Sequence, residues 1–270
     1  MDRRRRNLEI IKDTAQLCID SERLTQNIIE CRAAQQMFRG ELEIPDGERL
    51  QYETPAVVTV SGKRTLEAAS AYAYAGKKTC ILNFASATNP GGGVLSGSSA
   101  QEECLCRCST LFFILDIPEL KAWFYMPHRK MDGSLYNDDC IYTPGVLAFK
   151  SDIDFPERLP ESEWYQVNVI TCAAPNLRGV PSSLVRTEKL RPLLKSRIRR
   201  IFDLAAWGQN EVLVLGAFGC GAFCNPPELV AEVFHTVMQD YLHTFETIEY
   251  AVFHKEWERA NYDAFARWMK

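Results

Sequence analysis

The 270 residues fit one large domain, or one domain with a modest appendage. With 46% apolar and 24% charged residues, the chain has the composition of a soluble globular protein with enough material to cover both faces of a sheet. Its net charge of −4 excludes a global attraction to nucleic acid or to an anionic membrane, so polyanion recognition would have to come from a local patch.

The basic start, Arg3 to Arg6, is followed by Asn7, Leu8, Glu9 and Ile10. No apolar run of signal-peptide or membrane-spanning length is visible. The chain is therefore read as cytoplasmic, with its ten cysteines as reduced thiols. Residues 3–40 have helical periodicity through Leu8, Ile11, Ala15, Leu17, Cys18, Leu24, Ile28 and Ile29. Arg3 to Arg6 read as a frayed terminus. The polar stretch Glu41 to Glu53, with Pro45, Asp46 and Gly47, reads as a linker to a first strand at Ala56 to Val60. A helix follows at Thr65 to Ala75, then a short apolar strand at Lys78 to Phe84. A glycine-rich loop at Asn89 to Gly97 leads to a helix near Ser99. Further strands are expected at Val146–Phe149, Val167–Cys172, Val212–Ala217 and Ile248–Phe253. Helices are expected at Arg186–Ala206, Pro227–Thr244 and Trp257–Met269. Such alternation predicts an α/β sandwich with at least partly parallel strands. Residues 1–53 form an accessory helical layer and 54–270 the core, as one domain overall.

Two strands end in glycine-rich loops that lead into helices. In open α/β sheets ligands bind outside the carboxyl ends of the strands, and helix N-termini there favour anions. Neither loop fits a P-loop or a GxGxxG dinucleotide fingerprint, which disfavours an unrelated nucleotide enzyme. Cys104, Cys106 and Cys108 recur at a period of two, which puts alternate thiols on different sides of a helix. No CxxC pair exists, and Cys220 and Cys224 are not spaced like zinc ligands. Metal and cofactor are thus expected to be none, and the cysteines to be small buried side chains. Cys220 sits at a strand-to-helix turn but lacks a neighbouring histidine in sequence, against a nucleophilic role. His128, His235, His243 and His254 show no ligand spacing.

The informative segment is Gly91-Gly92-Gly93, seven residues, then Gln101-Glu102-Glu103 at a helix start. The glycines leave no Cβ to obstruct a ligand and permit positive φ. Ser99-Ala-Gln-Glu102 has the form of a capping box, which offers Glu102 a purely structural role. Two adjacent helical carboxylates splay about 100° apart, so they are not expected to flank one bond as a glycosidase pair does. On the helix at 186–206, Lys189, Arg191, Lys195, Arg197, Arg199 and Arg200 read as a solvated face, with contact to a polyanionic chain as the alternative.

The GGG-x7-QEE pattern resembles the signature of poly(ADP-ribose) glycohydrolases (PARGs). Asn83-Phe84-Ala85 and Asn89-Pro90 resemble the microbial branch, and Gly219-Cys220-Gly221-Ala222-Phe223 resembles that family's second phosphate loop. The resemblance implies a macrodomain-like three-layer α/β/α sandwich with a mixed sheet and accessory N-terminal helices. It implies a diphosphate held between Gly91, Gly92, Gly93 and Val94 on one side and Gly219, Cys220, Gly221 and Ala222 on the other, through backbone N–H groups. Phe223 would pack near ribose or adenine, Asn83 would hydrogen-bond the terminal ribose, and Gln101 would join the substrate site. Glu103 would be the catalytic acid/base on a ribose–ribose bond, and Glu102 would position the ribose hydroxyls. A helix N-terminus favours ionised carboxylate, so a general acid here calls for desolvation or nearby like charges.

The implied substrate is poly(ADP-ribose) or an ADP-ribosylated protein, cut from the chain end with ADP-ribose as product. Neither a membrane nor direct DNA binding is implied. Two rivals share the pocket: a hydrolase of single ADP-ribosyl groups on protein or nucleic acid, and a non-catalytic ADP-ribose reader. The intact Gln101-Glu102-Glu103 argues against the reader, which has no need of the glutamates.

Overall fold

The computed structural model describes residues 2–40, 43, 49–181 and 186–270. The chain opens with two helices, α1 (Arg3–Asp20) and α2 (Glu22–Ala34), within the helical region expected over residues 3–40. Ser21 separates them: its backbone is extended and its hydroxyl accepts from the Leu24 N–H, capping α2. Most of the expected 41–53 linker lies outside the described residues.

A seven-stranded mixed sheet forms the centre, in the order β1-β4-β5-β3-β6-β7-β2. The strands are β1 (Gln36–Phe38), β2 (Val57–Ser61), β3 (Thr79–Phe84), β4 (Cys140–Ala148), β5 (Tyr165–Cys172), β6 (Val212–Leu215) and β7 (Thr247–Ala251). β5, β3, β6, β7 and β2 run parallel, while β4 pairs antiparallel with both β5 and β1. Strand β1 was not expected, and β4 starts six residues before the strand read at Val146. Its register shifts between Thr143 and Val146, around Pro144 and Gly145, and that interruption hides the first half of the strand.

Helices cover both faces. α8 (Thr187–Trp207), α9 (Pro227–Met238) and α10 (Ala260–Trp268) share one apolar core with one face of the sheet. On the other face, α1, α2, α3 (Thr65–Tyr74), α4 (Gln101–Cys108) and α5 (Leu111–Leu115) enclose a second core. Two short helices, α6 (Pro118–Leu120) and α7 (Met126–Arg129), flank a π-helical turn. The architecture is the three-layer α/β/α sandwich. Period-two alternation along β3 turns Cys80 and Leu82 toward α8 and α9, and Ile81 toward α4. The same alternation delivers Asn83 to the α4 side, beneath the two glutamates.

Arg3 to Arg6 are not frayed. They form the first turn of α1, with Arg3 on Asp154 at 3.0 Å, Arg4 on the Ser96 carbonyl at 2.8 Å and Arg6 over the Phe155 ring at 3.7 Å. Nor is the basic run on α8 simply a solvated face. Arg197 is fully buried and donates to Asp138, Leu135 O and Ala173 O. Arg200 donates to Arg39 O, and Arg191 and Arg199 pair with Glu232 and Asp240. Lys189 and Lys195 remain exposed.

Candidate active site

The carboxyl ends of β3, β6, β7 and β2 open into a cavity of ≈ 320 Å³. The chain leaves β3 into the glycine loop and leaves β6 into the second loop, as βα units require. Of the residues expected at the site, Gly92, Gln101, Glu102, Glu103, Gly219, Gly221, Ala222 and Phe223 line the cavity.

Gly91 and Gly92 take left-handed backbone, with φ of +64° and +57°. A Cβ on Gly92 would lie 2.6 Å from Glu103 Oε1 and 2.9 Å from Glu102 Oε2. Both carboxylates thus converge on one point despite their angular separation at the helix. Glutamate side chains are long enough to bend back, and only glycine leaves the space they fill.

The two glutamates are held differently. Glu102 is buried, with Oε2 accepting from the Ser86 N–H at 2.7 Å and Oε1 from Asn83 Nδ2 at 3.3 Å. Burial pushes its carboxyl up to about 8, with the Glu103 charge adding to the shift and the hydrogen bonds from Ser86 and Asn83 opposing it. Glu103 is also buried; its Oε1 accepts from the Gly93 N–H at 2.8 Å, and its Oε2 has no partner among the described residues. The expected capping box does not form: the cap position is Ala100, and Glu102 turns inward to Ser86 and Asn83. Local cap chemistry loses to a partner offered by the β3–loop junction. A capping box is instead found at α3, where Glu67 accepts from the Arg64 N–H.

Several expected residues lie behind the cavity wall. Asn83 is fully buried, shared between Glu102 and Thr171. Gln101 reaches the lining, but its amide is spent on Phe84 N, Leu82 O and Thr65 Oγ1. Gly91 faces Phe112 and Cys106. Gly93 gives its N–H to Glu103. Val94 is fully buried in the core, with its N–H on Gly91 O. Cys220 directs its thiol to the Phe218 carbonyl, and burial pushes that thiol far above its usual range.

The second loop is braced from below. Gly219 has φ of +73°, and its missing Cβ would stand 2.5 Å from Ala174 and 2.6 Å from Asn225 Nδ2. Asn225 donates to Gly219 O and Pro175 O. A Cβ on Gly221 would meet nothing within 4 Å, so this backbone faces open cavity.

Sequence reasoning missed Arg64, Thr65, Phe218, Phe253 and Asn261 in the lining. Phe253 ends the strand expected at Ile248–Phe253 and Thr65 starts an expected helix, so the rule for carboxyl ends of strands points to both. Arg64 lies 3.9 Å over the Phe253 ring and pairs with Asp154. Among the described residues, no group of three or more His, Cys, Asp or Glu is arranged to hold a metal. Cys104, Cys106 and Cys108 are buried. Among the described residues no helix is long and apolar enough to cross a membrane.

The family model described as "Microbial-type PARG, catalytic domain" matches residues 5–151. The poly(ADP-ribose) glycohydrolase structure from Thermomonospora curvata superposes with a TM-score of 0.85 at 31% identity, covering 97% of this chain and 98% of that one. The same protein bound to the inhibitor ADP-HPD gives 0.83 at 32%, with the same coverage. The Deinococcus radiodurans glycohydrolase T267R mutant in complex with ADP-ribose gives 0.77 at 32%, covering 90% and 97%. No curated protein sequence matches the chain. The chain belongs to the microbial-type poly(ADP-ribose) glycohydrolase family.

Proposed function

We propose that the chain hydrolyses the ribose–ribose bonds of poly(ADP-ribose) from the chain end, releasing ADP-ribose, with Glu103 as acid/base. The observation that carries this reading is the convergence of Glu102 and Glu103 on Gly92 at one end of a cavity walled by the two glycine loops. From β3 to β2 the strand order is β3-β6-β7-β2. At about 4.8 Å per strand the cavity therefore crosses roughly 14 Å. Carboxylates stand at the β3 end, the Gly219–Ala222 loop at β6, and Arg64 with Phe253 at the β7–β2 end. A terminal ribose, a diphosphate and an adenosine fit in that order. The N–H groups of Gly221 and Ala222 have no acceptor among the described residues and suit the phosphates, and Phe223 offers a ring beside them.

Burial pushes the Glu102 carboxyl up to about 8, toward its protonated form. Both Glu102 oxygens are engaged by protein donors, which suits it to positioning. Of the two glutamates, only Glu103 keeps an oxygen without a protein partner among the described residues. It protonates the leaving ribose oxygen as the anomeric carbon gains oxocarbenium character, and the C–O bond breaks. It then takes a proton from the water that attacks the same carbon. The substrate diphosphate stabilises the cation. The side chains of this one site supply the acid/base chemistry. The ten free cysteines, eight of them buried, suit a reducing compartment, and we place the protein in the cytoplasm.

Parent protein and Glu103→Ala are compared on poly(ADP-ribose) and on mono-ADP-ribosylated protein, following free ADP-ribose. The reading expects release from polymer by the parent and a loss of 10²–10⁴-fold in the variant, about the usual worth of general acid/base catalysis, with ADP-ribose binding retained. Release only from the mono-modified protein would assign a mono-ADP-ribosyl hydrolase. Binding without release would make the chain a reader.

A further inference from the structure

The glycine loop is held from outside at both of its ends. At the entry, Arg129 donates to Thr88 O at 2.6 Å and Asn89 Oδ1 at 2.7 Å. At the exit, three successive carbonyls are taken from outside the loop. Ser96 O accepts from Arg4 Nε at 2.8 Å, Gly97 O from Asn7 Nδ2 at 3.0 Å, and Ser98 O from Arg107 at 2.6 Å. Two of these donors stand on α1. Gly97 itself is left-handed, and a Cβ there would collide with the Arg4 carbonyl at 2.5 Å. The helix backbone and the loop are therefore in direct apposition.

Asn7 is 1% exposed, and its Oδ1 has no partner. An apolar side chain of the same size would fill that space and remove the unpaired Oδ1, but it would leave Gly97 O without its donor. What the amide provides and an apolar residue lacks is the donor to Gly97 O. Helix α1 is in turn anchored to the sheet by Lys150, which donates to Ile10 O and Thr14 Oγ1 and pairs with Asp13 at 2.8 Å. A continuous path runs from β4 through Lys150 and α1 to the exit of the loop. The loop then folds back on itself, since Ser96 and Ser98 N–H both donate to Gly93 O. Gly93 N–H in turn holds Glu103 Oε1.

We infer that Asn7, seconded by Arg4, is a positioning residue for the reaction: the accessory helix fixes the exit of the glycine loop and thereby aims Gly93 N–H at Glu103. The inference rests on the glycohydrolase reading for its kinetic consequence and on the geometry alone for its structural one. Asn7→Leu keeps the volume and removes the donor. The expected result is a kcat at least tenfold lower, a KM for polymer changed by less than threefold, and amide hydrogen exchange at Gly93 at least tenfold faster with β3 and β6 amides unchanged. Cys18→Ala, which loosens the same helix away from the loop, keeps kcat within twofold. Arg4→Met, at an exposed position, shifts kcat and Gly93 exchange in the same direction by a smaller factor, and decides the matter if Asn7→Leu does not fold. Parent-like Gly93 exchange in the folded variants, or equal loss of kcat in Asn7→Leu and Cys18→Ala, would overturn the inference. If the parent releases no ADP-ribose, the glycohydrolase reading fails instead, and Gly93 exchange still decides the tether.

Discussion

The Gly93 N–H donates to Glu103 Oε1 over 2.8 Å, which ties the loop facing the cavity directly to the proposed acid/base. The same contact leaves Glu103 Oε2 as the oxygen free to act. A loop amide that fixes one carboxylate oxygen restricts the rotamer of the other, which is how a buried acid can be aimed before substrate arrives.

Gly92→Ala tests that arrangement most directly. The added methyl would sit 2.6 Å from Glu103 Oε1 and 2.9 Å from Glu102 Oε2, at a φ of +57°. Left-handed backbone costs a non-glycine residue about 1–2 kcal/mol, which a domain of this size can absorb. The expected variant is folded, with a midpoint of unfolding only a few degrees lower, and has lost at least 10²-fold in ADP-ribose release. Parent-like turnover would show that the carboxylates need not converge on Gly92.

The second loop separates scaffold from contact. Gly219→Ala meets Ala174 and Asn225 within 2.6 Å at a left-handed φ and is expected to cost about 2 kcal/mol or more of stability. Gly221→Ala meets nothing within 4 Å. It should fold with unchanged stability yet weaken ADP-ribose binding at least tenfold, because its methyl occupies the space proposed for phosphate. Calorimetric titration beside thermal melting distinguishes the two, and equal affinity in Gly221→Ala and the parent would remove this loop from the diphosphate.

The parts of the site legible in sequence are those set by local chemistry. The glycine run announced positive φ, which Gly91 and Gly92 adopt while Gly93 does not, and the short apolar run to Phe84 announced a buried strand ending at the cavity. The fate of Glu102 was not legible, because its capping partner at Ser99 competes with Ser86 N–H and Asn83 Nδ2, which only the fold brings near. Arg3 to Arg6 looked frayed for the same reason: their partners lie near residues 96 and 154. Residues 109–139 break into short helices and a π turn, too brief to carry a period. The residue types at 189–200 gave the charge of α8 but not its destination.

That destination yields a prediction about the polymer. Four of the six basic residues on α8 are engaged within the protein, leaving Lys189 and Lys195 exposed. A Lys189→Ala/Lys195→Ala double variant should turn over long poly(ADP-ribose) within twofold of the parent at low and moderate salt. Arg197→Ala, which leaves Asp138 without the donor at 2.9 Å and the carbonyls of Leu135 and Ala173 without theirs, should cost about 3–5 kcal/mol. A steep loss of polymer affinity in the double variant would restore this helix as a substrate surface.

The raised Glu102 carboxyl also makes stability depend on pH in an unusual direction. In the unfolded chain this side chain titrates near 4.5, and in the folded protein near 8. Between those values the folded state binds the extra proton, so its contribution to stability is fully present below pH 4.5. It is lost as pH rises through 8. The slope cannot exceed about 1.4 kcal/mol per pH unit for one proton. Denaturant unfolding at pH 5 and pH 8.5 should therefore show the parent losing stability relative to Glu102→Gln, whose amide keeps the volume and carries no proton to lose. Parallel curves for the two proteins over that range would mean that the Glu102 carboxyl is not shifted upward in the folded protein.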